Sequence, residues 1–266
     1  MNPFDFTGRH VFVAGGTSGI NLGIAQAFAE HGANVAVMSR SQPRVDAAVA
    51  SLKKTGARAT GRSADVRDPA AVAAALQAAY GEFGEIDVLV SGAAGNFPAA
   101  ALGMSPNGFK AVIDIDLLGT FNVLRSAHHL LKKPGASIIN ISAPQAVHAQ
   151  ALQAHVCAAK AGVDMLTRVL AIEWGADGIR VNSVIPGPIA DTEGMERLAP
   201  TAEAKETARL RVPLRRFGSK QEVAQLALFL ASPLANYITG AIVPVDGGVT
   251  AAGPRTLALT PATAEK

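Results

Sequence analysis

The feature that most constrains this chain is an alternation. Short runs of β-branched residues recur between Ala-rich segments of helical period. His10–Ala14, Asn34–Ser39, Ala59–Ser63, Ile86–Ser91, Ser137–Ser142, Arg180–Val184 and Ala241–Val245 read as seven strands. Gly23–Glu30, Arg44–Thr55, Pro69 to about Tyr80, about Asn107 to Leu131, Ala154–Trp174 and Glu222–Ser232 read as helices between them. Strands divided in this way form βαβ units, because a parallel pair needs a crossover and the crossover is usually a helix. Right-handed crossovers then place helices on both faces of one sheet. The expected fold is α/β, a doubly wound parallel sheet of about seven strands.

Composition narrows the function classes. A chain of 266 residues, 49% hydrophobic with a net charge of +3, has the apolar content for one full core. Lys and Arg are scattered, which argues against a nucleic-acid surface. No apolar run approaches the ~18 residues of a membrane span. The single cysteine, Cys157, can form no disulfide within the chain and fits a reducing compartment. The first ten residues lack a signal-peptide stretch, and the final Thr-Ala-Glu-Lys carries no address signal, so the cytoplasm is the expected compartment. Residues 1–250 are expected to form one dinucleotide-binding and catalytic domain. Pro186–Pro213, with four prolines and many charges, interrupts it, and 251–266 reads as a tail without clear period.

The first strand runs into Gly15-Gly16-Thr17-Ser18-Gly19-Ile20-Asn21-Leu22-Gly23. Glycines there let the backbone turn tightly and approach a pyrophosphate, and the following helix offers free N–H groups and a positive dipole end. Gly15, Thr17, Ser18, Gly19 and Ile20 are therefore candidate phosphate-loop residues of a Rossmann-type domain. The second strand ends in Ser39-Arg40, with no acid to take a ribose 2′-hydroxyl. Arg40 can pair a 2′-phosphate, which points to NADPH. A plain surface arginine is the alternative.

With these residues in view, the chain resembles the short-chain dehydrogenase/reductase family over about residues 7–250. The matching motifs are Gly15-x-x-x-Gly19, Ala64-Asp65-Val66, Ala93-Ala94-Gly95, Asn140-Ile141-Ser142, Lys160, Pro186-Gly187, and Thr239-Gly240-Ala241 through Asp246-Gly247-Gly248. The resemblance implies a nicotinamide cofactor and a homotetramer. It places Asp65 and Val66 at the adenine, Ala93 beside the cofactor, Asn140 at the sheet edge near it, and Pro186, Gly187 and Ile189 around the nicotinamide.

Departures from the pattern are more telling. The family's proton-donor Tyr stands four residues before the Lys, and Val156 occupies that place here. Its partner Ser falls on Ala143, and the Asn of the long fourth helix is replaced by Asp116. The last Gly of the phosphate loop is Asn21, and the usual Asn-Asn before Ala93 is Ser91-Gly92. Without Tyr and Ser the usual acid for a carbonyl oxygen is missing.

One branch of the family shares several of these features, the NADPH-dependent 2,4-dienoyl-CoA reductases of peroxisomal type. The similar segments include Ala93-Ala94-Gly95-Asn96-Phe97, Asp114-Ile115-Asp116, Gly119-Thr120-Phe121-Asn122-Val123, Gln153-Ala154-His155 and Thr192-Glu193-Gly194. That resemblance implies an acyl-CoA thioester substrate. Lys160 would hold the nicotinamide ribose, Asp116 would orient a water that delivers a proton, and Asn96 would donate to the thioester oxygen. The segment of about 187–213 would be the substrate lid, with Arg197, Arg209 and Arg211 candidates for CoA phosphates.

Plainer readings stand beside these. Asp116 could cap a backbone group or pair with Lys160, Asn96 could be a turn residue, and the three arginines could form a solvated face. His155, next to the empty Tyr place, is either an alternative acid or a structural histidine. Cys157 reads as a small core residue. His128 and His129 do not share a helix face, and no other spacing suggests a metal. Two further functions remain open: a short-chain reductase with another substrate and a non-Tyr proton donor, or a non-catalytic NADP(H)-binding protein.

Overall fold

The computed structural model describes residues 2–252, so the expected tail lies outside the described residues from 253 onward. Seven strands form one sheet in the order β3-β2-β1-β4-β5-β6-β7. They are β1 (His10–Ala14), β2 (Asn34–Ser39), β3 (Ala59–Ser63), β4 (Val88–Ser91), β5 (Ser137–Ile141), β6 (Arg180–Pro186) and β7 (Ile242–Val245). Every pairing is parallel. The seven expected strands are all present, and their ends move by at most a few residues.

Alternation along the strands explains the two layers. Val11, Val13, Val35, Val37, Val88 and Val90 point to one face. They pack there against α1 (Gly19–Glu30), α2 (Gln42–Lys53) and α9 (Lys220–Ala231) through Ile24, Phe28, Val45, Leu52, Val223 and Leu228. Phe12, Ala14, Ala36, Met38 and Leu89 point to the other face. Val72 and Leu76 of α3 (Pro69–Phe83), Val123 and Leu124 of α5 (Gly119–Ala127) and Leu170 of α6 (Ala154–Glu173) meet them. Strands buried on both faces read as nearly continuous apolar runs, which is why they were visible in sequence. Truncating one such residue, Ile139 for example, costs about 2–5 kcal/mol.

Chain order reverses between β1 and β4, the switch point of the sheet. In open α/β sheets the crevice outside the strand carboxyl ends at such a point is where ligands sit.

Two segments differ from expectation. The long helix expected from Asn107 to Leu131 is α4 (Pro106–Val112), a π-helical stretch Ile113–Leu118, α5, and a 3-10 turn His128–Leu130. A π turn inserts an extra residue into the helical ladder and leaves no mark in composition. The irregular stretch Pro186–Pro213 contains two short helices, α7 (Glu193–Leu198) and α8 (Ala202–Arg211). Thr192 caps the first by accepting from Met195 N (3.3 Å), and Thr201 caps the second by accepting from Ala204 N (3.1 Å).

Candidate active site

The phosphate loop has the shape a dinucleotide requires. Gly15 and Gly19 adopt φ of +79° and +56°, a region that strains any L side chain. A Cβ on Gly15 would also stand 2.9 Å from Ala93 Cα. The β1 turn thus lies directly against the chain leaving β4. Ser18, the N-cap of α1, makes no side-chain capping bond, so the first N–H groups of a 12-residue helix remain for an anion. A backbone cradle of this kind fits the pyrophosphate of a nicotinamide dinucleotide.

At the end of β2, Arg40 is exposed and forms no ion pair among the described residues. Its carbonyl accepts from Ser63 Oγ (2.9 Å), which ties β2 to β3 beneath it. Asp65 is not free: Arg67 grips it through Nε–Oδ1 (3.0 Å) and Nη2–Oδ2 (2.6 Å). The Arg67 guanidinium holds this carboxyl below the usual carboxylate range. Val66 is buried against Gly119, and Asn122 Nδ2 donates to its carbonyl (2.9 Å). Pro186 ends β6, Gly187 N donates to Val245 O (3.1 Å), and Ile189 is buried beside them in the core.

The catalytic candidates converge from three elements. Lys160, on α6, is 5% exposed and donates to Ile141 O at the end of β5 (3.0 Å). Asp116, on the π-helical stretch, is 1% exposed. Its Oδ1 accepts the N–H of Gly95 (2.7 Å), and its Oδ2 stands 3.4 Å from Lys160 Nζ. Thr120 Oγ1 anchors the same turn through Asp116 O (2.7 Å). Both plain readings of Asp116 therefore hold at once: it caps a backbone group and pairs with Lys160. An ammonium carries three donors; Ile141 O takes one, and Asp116 Oδ2 is close enough to pair in charge but has no hydrogen-bond partner, which leaves donors on Lys160 for a ligand.

Val156 fills the family's Tyr place with an aliphatic side chain, buried with Val112 and Ala159. The neighbouring His155 is fully buried, with neither ring nitrogen bonded, and meets Phe97 edge-on at 4.6 Å. Asn96, preceding Phe97, has a buried Oδ1 without a hydrogen-bond partner. Ala99 N donates to Leu152 O (2.9 Å), so the loop after β4 and the loop before α6 are zipped together.

Other candidates are placed less favourably. Arg197 pairs with Glu193 (3.1 Å), and Arg209 holds Glu206 while donating to Arg215 O. Both guanidiniums are engaged within their own region. Cys157 is a half-buried free thiol. Among the described residues no group of His, Cys, Asp or Glu could hold a metal ion, and no helix is long and apolar enough to cross a membrane.

The sequence reading missed Asp164. It lies one turn after Lys160, 3% exposed, and Ser183 Oγ donates to its Oδ1 (3.1 Å). Burial pushes its carboxyl up, against the opposing pull of neighbouring hydroxyls and, farther away, Arg168 and Lys160. Its spacing of four from Lys160 was the available signal, since i and i+4 share a helix face.

A family model described as Enoyl-(Acyl carrier protein) reductase matches residues 14–250. The chain belongs to the short-chain dehydrogenase/reductase family. Members of this family are oxidoreductases that use a nicotinamide cofactor, and so is this chain. It is 48% identical to a peroxisomal 2,4-dienoyl-CoA reductase [(3E)-enoyl-CoA-producing] of Rattus norvegicus, over 89% of this chain and 82% of that protein. A protein of Arabidopsis thaliana with the same name is 44% identical, over 97% and 89%. Among solved structures of the family, a short-chain alcohol dehydrogenase from Sinorhizobium meliloti 1021, titled putative, superposes with a TM-score of 0.88. It is 32% identical and covers 93% of this chain and 98% of its own. RhlG of Pseudomonas aeruginosa, titled as an NADP active-site complex, superposes at 0.87 with 28% identity, covering 94% of this chain and 100% of its own.

Proposed function

We propose that this chain reduces conjugated 2,4-dienoyl-CoA thioesters with NADPH. The observation that carries the reading is the buried Asp116–Lys160 pair standing where the Tyr-dependent acid is replaced by Val156. The names of the relatives from rat and Arabidopsis support it, and the NADP complex of RhlG supports the phosphorylated cofactor.

In this reading Gly15, Thr17, Ser18, Gly19 and Ile20 hold the pyrophosphate and Arg40 the 2′-phosphate. Asp65 and Val66 border the adenine, and Ala93, Pro186, Gly187 and Ile189 enclose the nicotinamide half. The cofactor, when bound, supplies the hydride. Lys160 would hold the nicotinamide ribose with an N–H not taken by Ile141 O and would place positive charge beside the reacting atoms. Once the δ carbon has received hydride, negative charge gathers on the thioester oxygen. A preorganised cation and an amide donor from Asn96 stabilise that oxygen, as in an oxyanion hole. Asp116, held by Gly95 N–H, orients the water that protonates the α carbon, giving a 3-enoyl-CoA. No carbonyl oxygen needs a proton at the hydride step, so an aliphatic residue at 156 is tolerated.

Residues 1–250 then act as one domain with 187–213 as the substrate lid. We also read the chain as a homotetramer in the cytoplasm. For assembly the support is an exposed apolar face: Met165, Val169 and Ile172 along α6, with Leu118 and Phe121 beside the π turn. The i, i+4, i+7 spacing puts the first three on one stripe.

Product analysis tests the substrate reading. NADPH with 2,4-hexadienoyl-CoA should yield the 3-enoyl thioester. Turnover of simple ketones with the thioester untouched would favour a reductase with another proton donor. Tight NADPH binding without turnover of any substrate would favour a non-catalytic binder.

A further inference from the structure

The reading of the phosphate loop as a dinucleotide site leaves one oddity, and it has a partner across the crevice. The family pattern ends this loop in Gly and places Asn just before Ala93. Here the two have changed sides: Asn21 stands on α1 and Gly92 at the end of β4. Asn21 is 9% exposed, and its Nδ2 donates to Gly92 O (2.7 Å) and toward Gly15 O (3.4 Å). Gly92 N in turn donates to Ala14 O (3.1 Å). A Cβ on Gly92 would fall 2.6 Å from Asn21 Cγ, so the side chain occupies the space that only glycine leaves open. The tie joins the turn after β1 to the turn after β4, the two strand ends that bound the switch-point crevice.

We propose that Asn21 and Gly92 form a reciprocal pair that positions the phosphate loop for the dinucleotide. Asn21 acts here as a positioning residue through the Gly15 turn. In this chain the helix supplies the amide and the strand makes room. The inference rests on the dinucleotide reading of the loop and adds how this chain sets the loop's position.

A double-mutant cycle decides it, with Asn21→Gly, Gly92→Ala and the two combined, on the full chain. The readouts are NADPH affinity by fluorescence titration, KM for NADPH, kcat and melting temperature. Asn21→Gly removes the tie and should raise the NADPH Kd and KM about 3- to 10-fold with kcat within about twofold, in line with the loss of one hydrogen bond. Gly92→Ala should weaken NADPH binding more than Asn21→Gly does. In the double variant, the loss should be less than the product of the two single losses, because the added methyl has room once Asn21 is gone. Multiplying losses would overturn the proposal, as would variants that lower the melting temperature while NADPH affinity stays unchanged. Should Gly92→Ala fail to fold, Asn21→Leu against Asn21→Gly serves. Leu keeps the bulk but loses the amide, so NADPH affinity equal to wild type would overturn the proposal and a loss like that of Asn21→Gly would support it. A wild-type chain that bound neither NADPH nor NADH would instead overturn the dinucleotide reading itself.

Discussion

Lys160 and Asp116 stood out as candidates because departures from a familiar pattern are informative when the surrounding pattern holds. The structure joins them at 3.4 Å and gives Asp116 a second task at Gly95 N–H. Arg40 stood out through the missing acid after β2, and in the proposed reading its exposed side chain, without an ion pair among the described residues, meets the 2′-phosphate. Arg40→Ala should raise KM for NADPH at least about 10-fold, as expected for a charge-assisted contact, while leaving NADH kinetics nearly unchanged. Equal losses with both cofactors would contradict the assignment. Asp164 was not legible, because its burial depends on how α6 lies over β5 and β6. Its carboxyl is raised above the ordinary 3.8, so between that pH and its folded value the native state keeps a proton that the unfolded chain releases. Stability then falls as pH rises through that window. Asp164→Asn should therefore gain in melting temperature relative to wild type as pH rises above the ordinary 3.8. A margin independent of pH would show that the carboxyl is not held protonated.

The central strands were found because they bury both faces, β3 and β7, which are only partly buried, by their place in the alternation, while the helix boundaries depended on caps and turns. α9 starts earlier than expected, at Lys220, because Ser219 and Glu222 form a capping box there. Arg216 and the Ser219 N–H hold the Glu222 carboxyl down at about 2. Its contribution is present above the ordinary 4.5 and is lost as pH falls toward 2. Ser219→Ala should cost about 1 kcal/mol. By calorimetry that is a melting point lower by about 2–4 °C. No change would mean the box is not formed in solution. The π-helical stretch escaped sequence reading, since Ile113–Leu118 carries ordinary helix residues and the extra residue shows only in the ladder. Helices α7 and α8 escaped it too, because their strongest signals, Thr192 and Thr201, sit among prolines and charges rather than before an apolar period.

For the molecule as a whole, topology follows from alternation and handedness, and the crevice at the β1–β4 switch point follows from topology. The candidate site then draws on residues far apart in sequence, from Gly15 to Ile189, a set that could be expected only through the family resemblance. Assembly belongs at this level as well. Ile172, 82% exposed on the α6 stripe, should be covered by a second copy. Ile172→Glu should reduce the sedimenting mass to a smaller species, and an unchanged mass would place the interface elsewhere.

The most direct measurement is the rate of NADPH oxidation with 2,4-hexadienoyl-CoA, for wild type and for Lys160→Ala, with a simple ketone in parallel. The account predicts turnover of the thioester, a loss of about 100-fold or more in the variant, and little activity on the ketone. NADPH left untouched by dienoyl thioesters of every chain length would contradict it.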